Sequence, residues 1–130
     1  MEDKKFSLSP LYDNSSSLCA YVAESKIERY FGNDRLVWHS LVDSKSKSLI
    51  RIKSSDTRLP THAEVLRFLR SNYYVQTRST VDRIKTLVTK DRICDILDKY
   101  SEVLSEKRKL LIKKYLLSKI EIMQDIYGGE

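Results

Sequence analysis

At 130 residues, with 41% hydrophobic and 32% charged positions, the chain has the composition of one small folded domain, not of a disordered or membrane-embedded protein. No apolar run approaches the roughly 20 residues of a bilayer span, and Met1-Glu2-Asp3-Lys4-Lys5 leads into no apolar signal region. No membrane partner is therefore expected, and a cytoplasmic setting is. The net charge of +6 is spread thinly: residues 1–60 carry ten Lys or Arg against eight Asp or Glu, and residues 61–130 carry fourteen against ten.

The chain opens with Phe6-Ser7-Leu8-Ser9, which alternates apolar and polar at period two and predicts a short half-buried strand or hairpin arm. Pro10 ends ladder pairing at its own position because it has no N–H to donate. Ser15, Ser16 and Ser17 are candidate N-caps for a helix over Leu18–Phe31, whose apolar stripe is Leu18, Val22, Ile27, Tyr30 and Phe31, stopped by Gly32-Asn33-Asp34. Asp13 stands at the junction of strand and helix. It is either an Asx-turn residue or a carboxylate presented to a cleft.

Residues 34–60 carry the weakest signals. Arg35-Leu36-Val37-Trp38 and Ser48-Leu49-Ile50-Arg51-Ile52 are short extended or helical pieces around a polar Ser44-Lys45-Ser46-Lys47 turn, and the stretch is too long to be an empty linker. From Pro60 the pattern sharpens. Thr61-His62-Ala63-Glu64 is a capping box, followed by Val65, Leu66, Leu69 and Tyr73 on one helical face. Val81, Ile84 and Val88 mark a second helix, and Ile93, Ile96, Leu97 and Tyr100 a third beyond Thr89-Lys90-Asp91. Ser105 caps a fourth helix that runs to Tyr127, with Leu111, Ile112, Tyr115, Leu116, Ile120, Met123 and Tyr127 broad enough to be buried on more than one side. The fold class is mainly α: a single domain over 1–130, with a strand and aspartate segment at 1–17, a helix and irregular region at 18–60, and a helical bundle at 61–130.

Few residues carry chemistry. Cys19 and Cys94 lack C-x-x-C spacing, which fits a reducing compartment and the role of small buried hydrophobes in helical patterns. His39 and His62 are far apart in sequence and are set aside as metal or acid–base groups. Tyr12, Tyr73 and Tyr74 are assigned to packing with one wet edge, and Asp95 and Asp98 to charge pairs on a helix surface. The one dense basic cluster is Lys107-Arg108-Lys109 with Lys113 and Lys114, either a solvated helix face or a small patch for an acidic partner or nucleic acid.

The string Leu8-Ser9-Pro10-Leu11-Tyr12-Asp13-Asn14-Ser15-Ser16-Ser17-Leu18 resembles the metal-binding segment of HipA-like serine/threonine kinases, a P-x-Y/F-D-N-G-S-S-L type sequence. Leu49-Ile50-Arg51-Ile52, then Pro60-Thr61-His62-Ala63-Glu64-Val65-Leu66 and a helical tail, are similar to the remainder of that family's C-terminal lobe. The resemblance implies that Asp13 is a Mg²⁺ ligand, in the role of the DFG aspartate of ordinary kinases. Ser15 departs from the glycine frequent in the pattern. The phosphate-covering loop, the strand lysine and the catalytic loop with its Asp base and Asn lie before this segment in such kinases, and the sequence contains none of them. The chain alone is thus expected to hold no cofactor and no catalytic residue. Mg²⁺ and ATP enter only with a complementary N-terminal portion.

Three functions follow. The first is the C-terminal portion of such a bacterial toxin–antitoxin type kinase, with an N-terminal kinase portion as partner. The second is a non-catalytic helical interaction module that binds an antitoxin-like or regulatory protein. The third is a small basic nucleic-acid-binding protein acting through Lys107, Arg108, Lys109, Lys113 and Lys114, with direct nucleic-acid contact the least favoured.

Overall fold

The helix predicted to be buried on several sides is the axis of the molecule. In the computed structural model, which describes residues 18–128, helix α4 (Glu106–Gly128) carries Leu111, Ile112, Met123 and Tyr127 into three separate apolar clusters. A helix with apolar residues around most of its circumference has to be surrounded, and here each face meets a different neighbour. Leu111, with Tyr115, packs on Cys19, Val22, Ile27 and Leu41 from the first part of the chain. Met123 and Tyr127 pack on Val81 of α2 (His62–Leu87), and Ile112 packs on Ile93 and Leu97 of α3 (Lys90–Asp98).

Local signals start each helix. Thr61 accepts the Glu64 N–H at 3.2 Å while the Glu64 carboxylate accepts the Thr61 N–H at 2.6 Å, completing the capping box that starts α2. Arg58 then clamps Glu64 with two bonds, at 2.7 and 3.1 Å. Thr89 caps α3 through the Arg92 N–H at 3.3 Å, and the Ser105 hydroxyl accepts the Arg108 N–H at 3.1 Å at the start of α4. Asp34 does the same for the short α1 (Arg35–His39), which continues as a π-helical turn over Ser40–Ser44. Among the described residues the fold is mainly helical, and the only extended pairing is the isolated antiparallel bridge of Lys47 with Thr61.

Two expectations are corrected. No helix begins at Leu18: Leu18 and Cys19 have φ of 53° and 61°, a left-handed turn that interrupts any α-helix, and a 3₁₀-helix forms only over Glu24–Phe31. Its stripe is also narrower than predicted, because Val22 and Ile27 are buried whereas Leu18 and Phe31 are exposed. The helices expected around Leu66 and Val81 are both present, as the two halves of α2 that meet at a kink where Tyr73 leaves helical geometry (φ −138°, ψ 33°). Just beyond the kink Thr77 lies 3.0 Å from the Tyr127 hydroxyl and Tyr74 stacks on Tyr127, so α4 holds the second half near its start. Finally, Ile96 and Tyr100 of the predicted α3 stripe are half-exposed; only Ile93 and Leu97 face α4. The strand expected over residues 6–9 lies outside the described residues.

Candidate functional site

Asp13, the residue expected to bind metal, lies outside the described residues. What the structure gives is the point at which its segment arrives. Leu18 is exposed, and the chain then turns inward at Cys19 to anchor the core through Val22 and Ile27. Arg108 holds this turn from α4, donating to the Cys19 carbonyl at 2.9 Å, to the Val22 carbonyl at 2.6 Å and to the Glu24 carboxylate at 3.0 Å. Ser105 also donates to Glu24, and that bond, followed by Arg108, holds the Glu24 carboxyl below its usual range.

Three members of the basic cluster, Arg108, Lys109 and Lys114, are bonded inside the fold, whereas Lys107 and Lys113 make no ion pair among the described residues. Arg108 is internal wiring. Lys109 is 9% exposed and pairs with Glu106 at 2.6 Å and Asp98 at 3.4 Å, so the partner of Asp98 is on the next helix and not on its own. Lys114 donates to the Tyr30 carbonyl at 2.6 Å with its ammonium 4.0 Å from the Trp38 ring centroid. Sequence position recorded where these charges lie along the chain, but not that their stems cross apolar surface to reach buried carbonyls.

A polar seam missed by the sequence reading runs beneath the π-helical turn. The Ser46 hydroxyl donates to the Leu41 carbonyl at 2.9 Å and meets the Tyr115 hydroxyl at 3.0 Å. Lys119 donates to the Val42 carbonyl and lies 3.3 Å from His62 Nδ1. Burial pushes the Lys119 ammonium down, and burial followed by Lys119 lowers His62, so a neutral imidazole accepts from the lysine. His39, likewise set aside, has Asp43 3.3 Å away at i,i+4. Cys19 is 2% exposed, and burial raises its thiol to about 11, with Arg108 and Lys119 pulling the other way. Cys19 behaves as the expected small core hydrophobe, though in a turn and not on a helix.

Two of the concave surfaces bear on the site. One, of about 610 Å³, lies between α1 and α4 and is lined by Trp38, Lys114, Arg35, Arg67, Glu121 and Asp125 among others. Lys114 already lies over the Trp38 ring, and the lining carries both charge signs, so it selects no ligand class. The other, of about 750 Å³, is an apolar groove lined by Leu18, by Ile96 and Leu97 of α3, and by Tyr100, Val103 and Leu104 of the turn that follows. Val103 is 78% exposed and Tyr100 54%, a concentration of uncovered apolar surface at the point where the Asp13 segment joins the bundle.

Among the described residues no three His, Cys, Asp or Glu side chains are grouped to hold a metal ion. The carboxylate on the groove wall, Glu24, is committed to Ser105 and Arg108. The described residues alone thus form no Mg²⁺ site. No family model, curated protein or solved structure matches the chain. No described helix is long and apolar enough to cross a membrane.

Proposed function

We propose that this chain is a helical docking lobe, the C-terminal portion of a HipA-like protein serine/threonine kinase, that contributes Asp13 as a metal ligand and is inactive alone. The observation that carries the reading is the apolar groove beside Leu18. The string that resembles the family's metal segment ends at that residue, and the surface next to it is apolar and open. A lobe that must pack against another portion of a kinase needs such a surface at such a place. The occupant of the groove is accordingly the complementary N-terminal portion, which supplies the nucleotide loop, the strand lysine and the catalytic base. Related kinases are paired with DNA-binding antitoxins, which makes an antitoxin-like protein the next partner to test.

The test is calorimetric titration of Mg²⁺-ATP into this chain, into a HipA-like N-terminal portion, and into their mixture. Nucleotide binding in the mixture alone, abolished by Asp13→Asn and weakened at least tenfold by Val103→Asp, is the expected result. A mixture that neither associates nor binds nucleotide, with a portion shown to be folded, overturns the reading. Association that survives Asp13→Asn without any nucleotide binding selects the second reading, a non-catalytic interaction module. That reading is favoured by the composition of the groove, built from α3 and the turn after it and independent of Asp13.

A further inference from the structure

The chain between the π-helical turn and α2 makes a closed excursion with pinned ends. The Ser48 N–H donates to the Pro60 carbonyl at 2.8 Å, the His62 N–H to the Ser46 carbonyl at 3.0 Å, and Lys47 bridges Thr61. Inside the loop, Ile50 N–H bonds the Ser48 hydroxyl at 3.0 Å, and Lys53 and Asp56 close a turn with two bonds of 3.1 Å. Ile52 turns inward toward Pro60 and Arg58. Such a compact loop, with joined ends and its own internal packing, is a built element and not slack. Directly after the pinned Ser48 it nevertheless holds two large aliphatic side chains in water, Leu49 at 88% exposure and Ile50 at 73%.

The charges that flank the pair along the chain are mainly positive. Lys45, Lys47, Arg51 and Lys53 flank the two aliphatics, and among the described residues none of the four takes part in an ion pair. Of the acidic groups nearest in sequence, Asp56 accepts from the Lys53 N–H and Asp43 faces His39, while Glu64 is clamped by Arg58. This contrasts with Arg108, Lys109 and Lys114 of α4, whose charges are engaged inside the fold.

We infer that the Leu49–Ile50 pair is a docking site for an anionic lipid surface, with the two aliphatics entering the headgroup–acyl boundary and the four cations lying over the lipid phosphates. An exposed aliphatic pair flanked along the chain by unpaired cations fits a soft, negatively charged apolar layer, which needs no matching pocket. Nucleic acid is disfavoured because Leu and Ile offer no ring for a base to stack on. The sequence reading set membranes aside for want of a spanning run; surface attachment needs no such run. The inference is independent of the kinase-lobe reading, because the loop contributes no residue to the groove.

Co-sedimentation of the full chain with vesicles tests it, using phosphatidylcholine alone and phosphatidylcholine with 30% phosphatidylserine. Binding to the anionic vesicles is expected to exceed that to the neutral ones at least tenfold and to weaken in 0.5 M salt. The Leu49→Ser/Ile50→Ser double variant is expected to lose at least tenfold, and Lys53→Gln about fivefold. Leu110→Ser, at an exposed aliphatic elsewhere, controls for general stickiness and should change nothing. Equal binding to both vesicles, no binding at low salt, or a double variant that binds like the parent overturns the proposal. So does a single-stranded RNA oligomer that binds this loop while vesicles do not. Circular dichroism establishes that the variants are folded, as exposed loop positions predict.

Discussion

Arg108 commits its guanidinium to two backbone carbonyls and one carboxylate, all in the turn that leads out of the Asp13 segment. Replacing it with methionine keeps the stem but leaves the Cys19 and Val22 carbonyls without their donor, and should cost about 3 kcal/mol. Lys113→Met, in the same basic cluster but without an ion pair among the described residues, should stay within about 0.5 kcal/mol. Urea midpoints at unchanged m-value separate the two. Glu64 makes a second residue-level prediction, in pH. Arg58, then the Thr61 N–H, hold its carboxyl at about 2 against an ordinary 4.5. Because the folded value is depressed, its stabilisation is complete above 4.5 and disappears as the pH falls toward 2. Glu64→Gln should therefore lower the melting temperature at pH 7 and flatten its decline between pH 4.5 and 2. An unchanged slope in that window places the acid sensitivity on other carboxylates.

At the scale of elements, α4 should dominate stability because all three apolar clusters use it. Leu111 is fully buried and its neighbour Leu110 is half-exposed. Leu111→Ala is expected to cost about 3–4 kcal/mol, and Leu110→Ala less than about 1 kcal/mol, by thermal or chemical denaturation. The same contrast explains what could be read in the sequence. α4 was legible because Leu111, Ile112, Tyr115, Met123 and Tyr127 repeat at helical spacing, and α2 because its capping box is a local device with its own signature. The two halves of α2 were legible from their separate apolar stripes, but the way they are held at the kink was not, since Thr77 and Tyr74 meet Tyr127 about fifty positions further on. Nor was the late start of the first helix: the left-handed backbone at Leu18 and Cys19 falls on residues without the glycine that advertises such a turn. The groove was invisible for a related reason. Leu18, Tyr100 and Val103 belong to different stretches, and only the tertiary arrangement shows that they line one surface.

At the scale of the whole molecule, the three clusters meet only through α4, so the chain before α2 can leave without dismantling the pair of long helices. The grip of its first part, Leu18–Phe31, is a 3₁₀-helix, the core side chains Cys19, Val22 and Ile27, and the bonds of Arg108 and Lys114. The geometry of 3₁₀ hydrogen bonds is poorer than that of an α-helix, and units held this way open at lower free energy than the global transition. Cys19 reports that opening directly. With its thiol at about 11 and 2% exposed, only about one molecule in a thousand carries the thiolate at pH 8, and that thiolate is shielded from reagent. Alkylation of Cys19 should thus follow opening of the Leu18–Phe31 segment, at a rate nearly independent of urea at low concentration, while half-buried Cys94 reacts separately. Arg108→Met should speed Cys19 alkylation more than it speeds global unfolding followed by far-ultraviolet circular dichroism. Parallel acceleration of the two would mean that the segment and the helical pair form one cooperative unit. Faster alkylation of Cys19 alone would make the turn beside the apolar groove the part of the fold that moves first, and occupancy of that groove would then be expected to slow it.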